Sequence, residues 1–307
     1  TSNKALVAAC YDELLPLVEE KGVSFRCTAA VGGGIGWLSE LERARRVQTL
    51  QQVGGIMNGT CNYILDAMTR GGMTYADALA QAQKLGYAEA NPAADVEGKD
   101  AARKTVILGA IATGKLVSPE AISTEGITKI ALDDVELAQA LGYSIKLIGH
   151  AEDKDGKLLA FVSPMAVPES NPLARIDGVF NGILVKANMV GEVMFYGPGA
   201  GKLPTASAVT GDLVDVMAHT PAGIISPVWV DAAPDEIADP EDYVCRHLVV
   251  LDAPLTAEAA IASHFALNAV HHTEGRFSFI TEEMTEAAVK ECIEAVGYPL
   301  ISRIRVL

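Results

Sequence analysis

The fold of this chain is constrained most by an alternation. Segments with the apolar period of a helix and segments with that of a strand follow one another along 307 residues, punctuated by glycine, proline, asparagine and aspartate. Ala5, Leu6, Ala9, Leu14, Leu17 and Val18 mark the apolar face of a helix predicted over 5–21. A strand is predicted over 23–31, running into Gly32-Gly33-Gly34, then a charged helix over 37–49 and a short strand over 53–57. Helices are predicted over 61–70, 74–85, 99–113 and 133–141, with a loop over 86–98. Strands follow over 144–151, 158–165, 182–188 and 191–196, with turn signals such as Asp155-Gly156 between them. A helix is expected from about Thr205 to Ala218, then a Pro- and Asp-rich linker over 221–242. The remainder reads as a compact unit: strand 243–251, helix 256–268, strand 276–281, helix 285–296, strand 301–306. The alternation is that of an α/β or α+β protein with a mixed sheet.

Composition narrows the classes of function. Hydrophobic residues make up 50% of the chain, enough for more than one core at this length. No apolar run is long enough to span a bilayer, and the first residues lack the basic-then-apolar pattern of a signal peptide. A soluble, cytoplasmic protein without a membrane partner is therefore expected. With 24 basic against 39 acidic residues the net charge is −15, the wrong sign for a nucleic-acid surface. Cys10, Cys27, Cys61, Cys245 and Cys292 are scattered, odd in number and free of any Cys-x-x-Cys spacing. That pattern predicts reduced thiols and no zinc site, with Cys61 a small buried residue and not a nucleophile.

The densest chemistry lies between Gly86 and Lys104. Glu89 and Asp95 fall in a loop broken by Asn91-Pro92, while Asp100 and Lys104 stand four apart and share one face of a helix. The set suits gripping a small zwitterion and moving a proton. It reads equally as an N-capping loop ahead of a surface ion pair. An EF-hand is excluded, because Lys99 intrudes and the ligand spacing is wrong. Asn58-Gly59-Thr60-Cys61-Asn62-Tyr63 joins a strand to a helix, offering N–H groups and a hydroxyl to an anion, or simply a Thr cap. Gly197-Pro198-Gly199-Ala200-Gly201 precedes a helix and admits either a ligand close to the backbone or a tight turn. It has part of the spacing of the dinucleotide fingerprint, but Pro198 removes a backbone donor, and no full Gly-x-Gly-x-x-Gly unit occurs. Asn3-Lys4 taken alone reads as an exposed lysine, and His271-His272 as an exposed loop or strand end.

Together, and in this order, the pieces resemble homoserine dehydrogenase over nearly the whole chain. Thr1-Ser2-Asn3-Lys4-Ala5 resembles the segment leaving that family's last nucleotide-binding strands, and Ala29-Ala30-Val31-Gly32-Gly33-Gly34-Ile35 its cation-binding loop. Asn58 to Leu65 resembles its substrate loop, Gly86 to Lys104 its signature segment, and Gly197 to Gly201 with Pro204 to Val209 its return to the cofactor. Residues 243–307 are similar to an ACT module, a small regulatory domain of βαββαβ order, with Asp252-Ala253-Pro254-Leu255-Thr256 in place of the usual Pro-Gly turn.

The resemblance implies reduction of L-aspartate 4-semialdehyde to L-homoserine with NADP or NAD as cofactor, on the route to threonine and methionine. It implies Lys104 as proton donor, with Lys4 as the second cation and alternative donor. Glu89 and Asp100, supported by Asp95, would bind substrate, with Gly59, Thr60 and Tyr87 lining the pocket. Lys4, Gly197, Gly199 and Gly201 would lie beside the cofactor. The carbonyls of Thr28, Val31, Gly33 and Ile35 would hold a structural monovalent cation such as sodium. Two departures bear on that loop: Thr28 stands where the family has Glu, and Gly36-Trp37 where it has Pro and an aliphatic residue. The resemblance also implies domains. Residues 1–22 and 197–220 would be remnants of a Rossmann domain that lies largely upstream, and 23–196 a catalytic and dimerisation domain. Residues 221–242 would be a linker and 243–307 an ACT-like domain with a possible amino-acid effector, in a homodimer or higher homo-oligomer. The alternative is a non-catalytic amino-acid-sensing or assembly module.

Overall fold

The computed structural model describes residues 1–219, 223, 226, 227, 229–273 and 275–307, so part of the expected 221–242 linker lies outside the described residues. Five strands form the body of the sheet: β1 (Leu50–Ile56), β2 (Tyr143–Lys154), β3 (Lys157–Pro168), β4 (Phe180–Ala187) and β5 (Gly191–Pro198). Four more come from the C-terminal part: β6 (His247–Asp252), β7 (Ala269–Thr273), β8 (Arg276–Ile280) and β9 (Leu300–Val306). All lie in one sheet in the order β7-β8-β6-β9-β3-β2-β1-β4-β5, and a two-residue strand, Ser123–Thr124, also pairs with β3. Along that path neighbours are antiparallel except β9 and β3, which join in parallel through Arg305 opposite Met165 and Val306 opposite Ala166.

The sequence of β3 explains its central place. Leu158, Ala160, Val162 and Ala166 enter the main core on one face, while Phe161, Met165 and Val167 pack with Ile56, Ile148, Leu173 and Ile176 on the other. A strand buried on both faces is apolar at both parities, so its run shows little alternation. The β2–β3 hairpin turns at Asp155-Gly156, both with positive φ, as a tight two-residue turn requires.

Helices cover the core face: α1 (Lys4–Lys21), α2 (Trp37–Arg45), α3 (Gly59–Gly71), α4 (Tyr75–Lys84), α5 (Ala93–Val96), α6 (Lys99–Thr113), α7 (Leu132–Ala140) and α8 (Lys202–His219), with α9 (Glu258–Ala262) and α10 (Glu286–Val296) in the C-terminal unit. The central one is α6, buried nearly all round, which packs on β1, β2 and β3 and is flanked by α1 and α2. Gly149 of β2 makes this possible: a Cβ there would stand 2.1 Å from the Thr105 hydroxyl of α6 and 2.8 Å from Met57. The C-terminal strands and helices run βαββαβ around a separate core of Val249, Leu251, Ile261, Phe277, Phe279, Val289 and Ile293.

Four local expectations need correction. The strand predicted over 23–31 does not form: the chain is irregular there and coils into short turns at Thr28–Ala30 and Gly33–Ile35, because no strand lies beside it. Side chains satisfy its backbone instead, Asp212 accepting from the Thr28 N–H at 3.0 Å. The helix predicted over 256–268 shrinks to α9 with a preceding turn, and residues 269–273 form β7, which pairs with β8. The strand predicted over 243–251 breaks in two, Val244–Cys245 pairing with Met284–Thr285 outside the main sheet. Finally, α1 buries Val7, Ala8, Tyr11 and Val18, whereas Leu6 and Leu17 of its expected apolar face are exposed. Among the described residues no helix is long and apolar enough to cross a membrane.

Candidate active site

Three elements converge at the end of β1. Asn58 leaves the strand in an extended conformation and caps α3, its Oδ1 accepting from the Cys61 N–H at 2.8 Å. The expected Thr cap is thus an Asn cap, and it does more than close the helix. The Asn58 amide donates to Asp95 Oδ1 at 2.7 Å and to Asp100 Oδ2 at 2.9 Å. α6 contributes Asp100 in its first turn and Lys104 one turn later, Nζ to Oδ2 2.7 Å. Lys104 also donates to the Met57 carbonyl at 2.7 Å. From α1, whose N-cap is Asn3, Lys4 reaches the other oxygen of Asp100 at 3.0 Å.

One buried carboxylate therefore holds two ammonium groups and an amide. Lys104 is 11% exposed at its side chain and Lys4 32%, so the first is enclosed and the second open to solvent. Burial by itself pushes the Asp100 carboxyl up; Lys104, Lys4 and the hydrogen bonds from Lys104 and Asn58 outweigh it and hold it at about 2. Asp95 behaves oppositely. Burial raises it, the Asn58 hydrogen bond counters, and the Asp100 charge raises it further. Two carboxylates linked by one amide are thus pushed apart, the pattern of a site that sorts charge and proton. Cys61 is buried, its thiol raised well above the ordinary range by burial and by Asp95 and Asp100, and it donates to the Asp95 carbonyl. Such burial disfavours the thiolate that a nucleophile needs.

The loop residues lie around this cluster. The Thr60 hydroxyl donates to the Tyr87 carbonyl at 2.6 Å, tying the start of α3 to the Gly86–Lys104 segment. Tyr87 is half exposed, its ring 4.9 Å from that of Tyr63. Gly59 opens α3 against the Val179 carbonyl. Glu89 is exposed, its backbone carbonyl accepting from Gln83, and it forms no ion pair with either lysine among the described contacts. Gly197 lies at the end of β5, and Gly199 and Gly201 form the turn from it into α8; this turn abuts the 28–35 loop: a Cβ on Gly33 would come 3.0 Å from the Gly199 carbonyl. In that loop Thr28 bonds Ser39 through its hydroxyl at 3.2 Å, and the Val31 carbonyl accepts from the Trp37 indole N–H at 2.5 Å. No cluster of three His, Cys, Asp or Glu side chains among the described residues could hold a metal ion.

Asn58 is the residue that sequence reading left without a role, although its position before Gly-Thr at a strand end marks an N-cap. Lys146 was also passed over. It is buried in β2, donates to the Ile176 carbonyl at 2.7 Å and to Asn62 at 3.3 Å, and is lowered by that burial. Nothing in its local sequence separates it from a surface lysine.

The family model described as homoserine dehydrogenase matches residues 37–214. The chain is 45% identical over 217 residues to the homoserine dehydrogenase of Neisseria gonorrhoeae, covering 70% of this chain and 50% of that protein. It is 39% identical over 310 residues to that of Corynebacterium glutamicum, covering 96% and 70%. Among solved structures, a homoserine dehydrogenase from Thiobacillus denitrificans superposes with a TM-score of 0.89 at 34% identity, over 100% of this chain and 75% of that one. A hyperthermophilic archaeal homoserine dehydrogenase in complex with NADPH does so with a TM-score of 0.62 at 28% identity, over 71% and 63%. The chain thus spans about half the length of the first relative and some seven tenths of the second.

Proposed function

This chain belongs to the homoserine dehydrogenase family, and we propose that it carries the substrate half of an NAD(P)H-dependent reduction of L-aspartate 4-semialdehyde to L-homoserine. The observation that carries this reading is the buried Asp100 carboxylate clamped between Lys104 and Lys4 beside the Asn58-Gly59-Thr60 turn.

The cofactor, when bound, supplies the hydride that reaches the aldehyde carbon. Lys104 has two of its three N–H groups engaged, by Asp100 and Met57, and its third gives a proton to the aldehyde oxygen, so that C=O becomes CH–OH. Asp100, ionised, fixes where that ammonium stands. Lys4, partly open on the other oxygen of Asp100, is the second cation and the alternative donor. The exposed carboxylate of Glu89, with Asp95 in support, takes the substrate ammonium, because the lone pairs of Asp100 are largely used. Gly59 and Thr60, at the α3 N-terminus, suit the substrate carboxylate, and Tyr87 closes that side.

The described residues fit one wall of a nucleotide site, the glycine turn 197–201 ahead of α8. They contain no Gly-x-Gly-x-x-Gly between a strand and a helix. We therefore assign residues 1–22 and 197–220 to a nucleotide-binding domain completed by other chain. Exposed apolar side chains support this: Leu6 and Leu17 on α1, and Leu203, Leu213, Val214 and Met217 on α8. Residues 23–196 are the catalytic part and 243–307 an ACT-like part with a possible amino-acid effector. Half-exposed Phe180, Met194 and Tyr196 on β4 and β5 support pairing of two copies through this end of the sheet. A cytoplasmic setting agrees with five unpaired cysteines. The monovalent cation is not part of this proposal, because one of the carbonyls expected to hold it, that of Val31, already accepts from the Trp37 indole N–H.

The test is NADPH oxidation by the intact protein. Turnover should require aspartate semialdehyde, and Lys104→Ala should lower it by about 10²- to 10⁴-fold with NADPH binding retained. An intact protein that binds an amino acid but never oxidises NADPH would favour the sensing module instead.

A further inference from the structure

The loop that the resemblance assigns to a bound monovalent cation is closed in this chain by a side chain. Trp37 is fully buried, and its indole N–H donates to the Val31 carbonyl at 2.5 Å. The ring abuts Gly32, which has φ +77°; a Cβ on Gly32 would stand 2.0 Å from the indole carbon Cζ2. Gly36, also at positive φ, turns the chain so that Trp37 folds back over the loop it follows. Backbone bonds from Ala30 N–H to the Cys27 carbonyl and from Ile35 N–H to the Gly32 carbonyl complete the two short turns.

The donor set left over does not suit an ion. A cation site needs several inward oxygens with nothing positive among them. Here one of the four expected carbonyls already has a hydrogen-bond donor on it. An ion on that oxygen's second lone pair would stand beside the positive end of the indole dipole. No free carboxylate compensates. Thr28 brings a hydroxyl, bonded to Ser39. Asp212, the acid that reaches the loop, is engaged by the Thr28 N–H at 3.0 Å and by Arg26 at 3.6 Å. Arg26, which also pairs with Glu42 at 2.5 Å, thus takes up the carboxylates nearest the loop.

We infer that Trp37 replaces the cation: its indole N–H satisfies the Val31 carbonyl and its ring fills the loop, so the 28–35 segment is ordered without a bound monovalent ion. What the loop supports is visible in its neighbours. Gly33 touches Gly199, Gly34 touches Pro204 and Ile35 touches Gly197, so a rigid 28–35 loop is what holds the glycine turn ahead of α8. The substituted device would keep that turn in place in sodium, in potassium or in neither.

The test reads stability and is therefore separate from whether the protein is a dehydrogenase. The thermal midpoint of the intact protein is measured in sodium, potassium and choline chloride at matched ionic strength, for the wild type and for Trp37→Phe, which keeps an aromatic ring and removes the N–H. The wild-type midpoint should be the same in all three salts. Trp37→Phe should have a lower midpoint in choline chloride and regain part of the loss, saturably, with sodium or potassium. A saturable, ion-specific rise in the wild-type midpoint overturns the inference, and this arm decides even if the variant does not fold. A Trp37→Phe protein as indifferent to the ion as the wild type overturns the assignment to the indole N–H.

Discussion

Asp100 is the residue on which the site turns, and its chemistry can be tested apart from turnover. Its carboxyl lies at about 2 in the folded protein against an ordinary value of 3.8. A lowered carboxyl stabilises the fold fully above its unfolded value and loses that contribution as pH falls from 3.8 towards 2. The span corresponds to roughly 2 kcal/mol. Asp100→Asn should therefore flatten the acid limb of stability in that window, as read by urea midpoints across pH. It should also destabilise the protein near neutrality by about 3 kcal/mol, since it leaves two lysines without their counter-charge. An acid limb identical to the wild type's would show that Asp100 is not the linked group. Asp95, raised by burial, works with the opposite sign: its ionisation costs stability in the folded state.

At the scale of elements, the geometry of the proposed site depends on how closely α6 lies against β2, because α6 carries both Asp100 and Lys104. Gly149 sets that distance. Gly149→Ala places a methyl against Thr105 and Met57, whose carbonyl is a partner of Lys104. The expected cost is about 1 to 3 kcal/mol of stability. kcat should fall more than KM changes if Lys104 is the proton donor proposed above, since it moves relative to the loop at 58–60. A variant with lowered stability and unaltered kcat would refute the link. α10 presents a second case. Its buried Glu286 binds Arg303 and Arg305 of β9, and Arg305 lies over the Phe161 ring of β3, 5.0 Å from its centroid. Glu286→Gln leaves two guanidinium groups short of a partner, a loss of about 3 to 5 kcal/mol. Because β9 is hydrogen-bonded to β3, hydrogen exchange should quicken in β3 as well as in 247–306. Faster exchange confined to 286–306 would mean that the parallel β9–β3 junction does not couple the two parts.

At the scale of the whole molecule, one sheet runs under both the α6 core and the α10 core, its two parts joined by the parallel β9–β3 pairing and by Leu248, Ile280, Ile304 and Val306, which belong to the main core. Its far edge, β5, has no further strand beside it among the described residues, and side chains of β4 and β5 stack there, with Phe180 and Tyr196 rings 5.3 Å apart. An apolar edge of this kind invites a second copy. Light scattering should give a dimer or a higher oligomer for the wild type, and Tyr196→Glu with Met194→Glu should shift it towards monomer. A monomeric wild type would remove the sheet-end pairing from the reading.

How much of this was legible beforehand follows the range of the interactions. Helix α6 is found at its predicted bounds, and so is the Asp100–Lys104 pair, because a spacing of four on a helix is fixed by local geometry alone. Most of the order of elements and the burial of Cys61 were legible in the same way. The family was legible because five motifs follow one another in order. The Lys4–Asp100 contact and the Asn58 bridge between two carboxylates were not, since each depends on how α1 and β1 meet α6. The strand expected over 23–31 failed for a related reason: strand period is a preference that needs a neighbouring strand, and here side chains and short turns took the backbone instead. The exposed faces of α1 reversed the expected amphipathic reading, because apolar residues on both sides of a helix do not say which side meets the core. The sequence by itself thus determined the local elements, their succession and the chemistry within one helical turn. Only the tertiary structure decided that Lys4 joins Lys104 on one carboxylate, that Trp37 closes the 28–35 loop, and that the C-terminal strands extend the main sheet. Those outcomes rest on contacts between residues far apart in the chain, which no local pattern encodes.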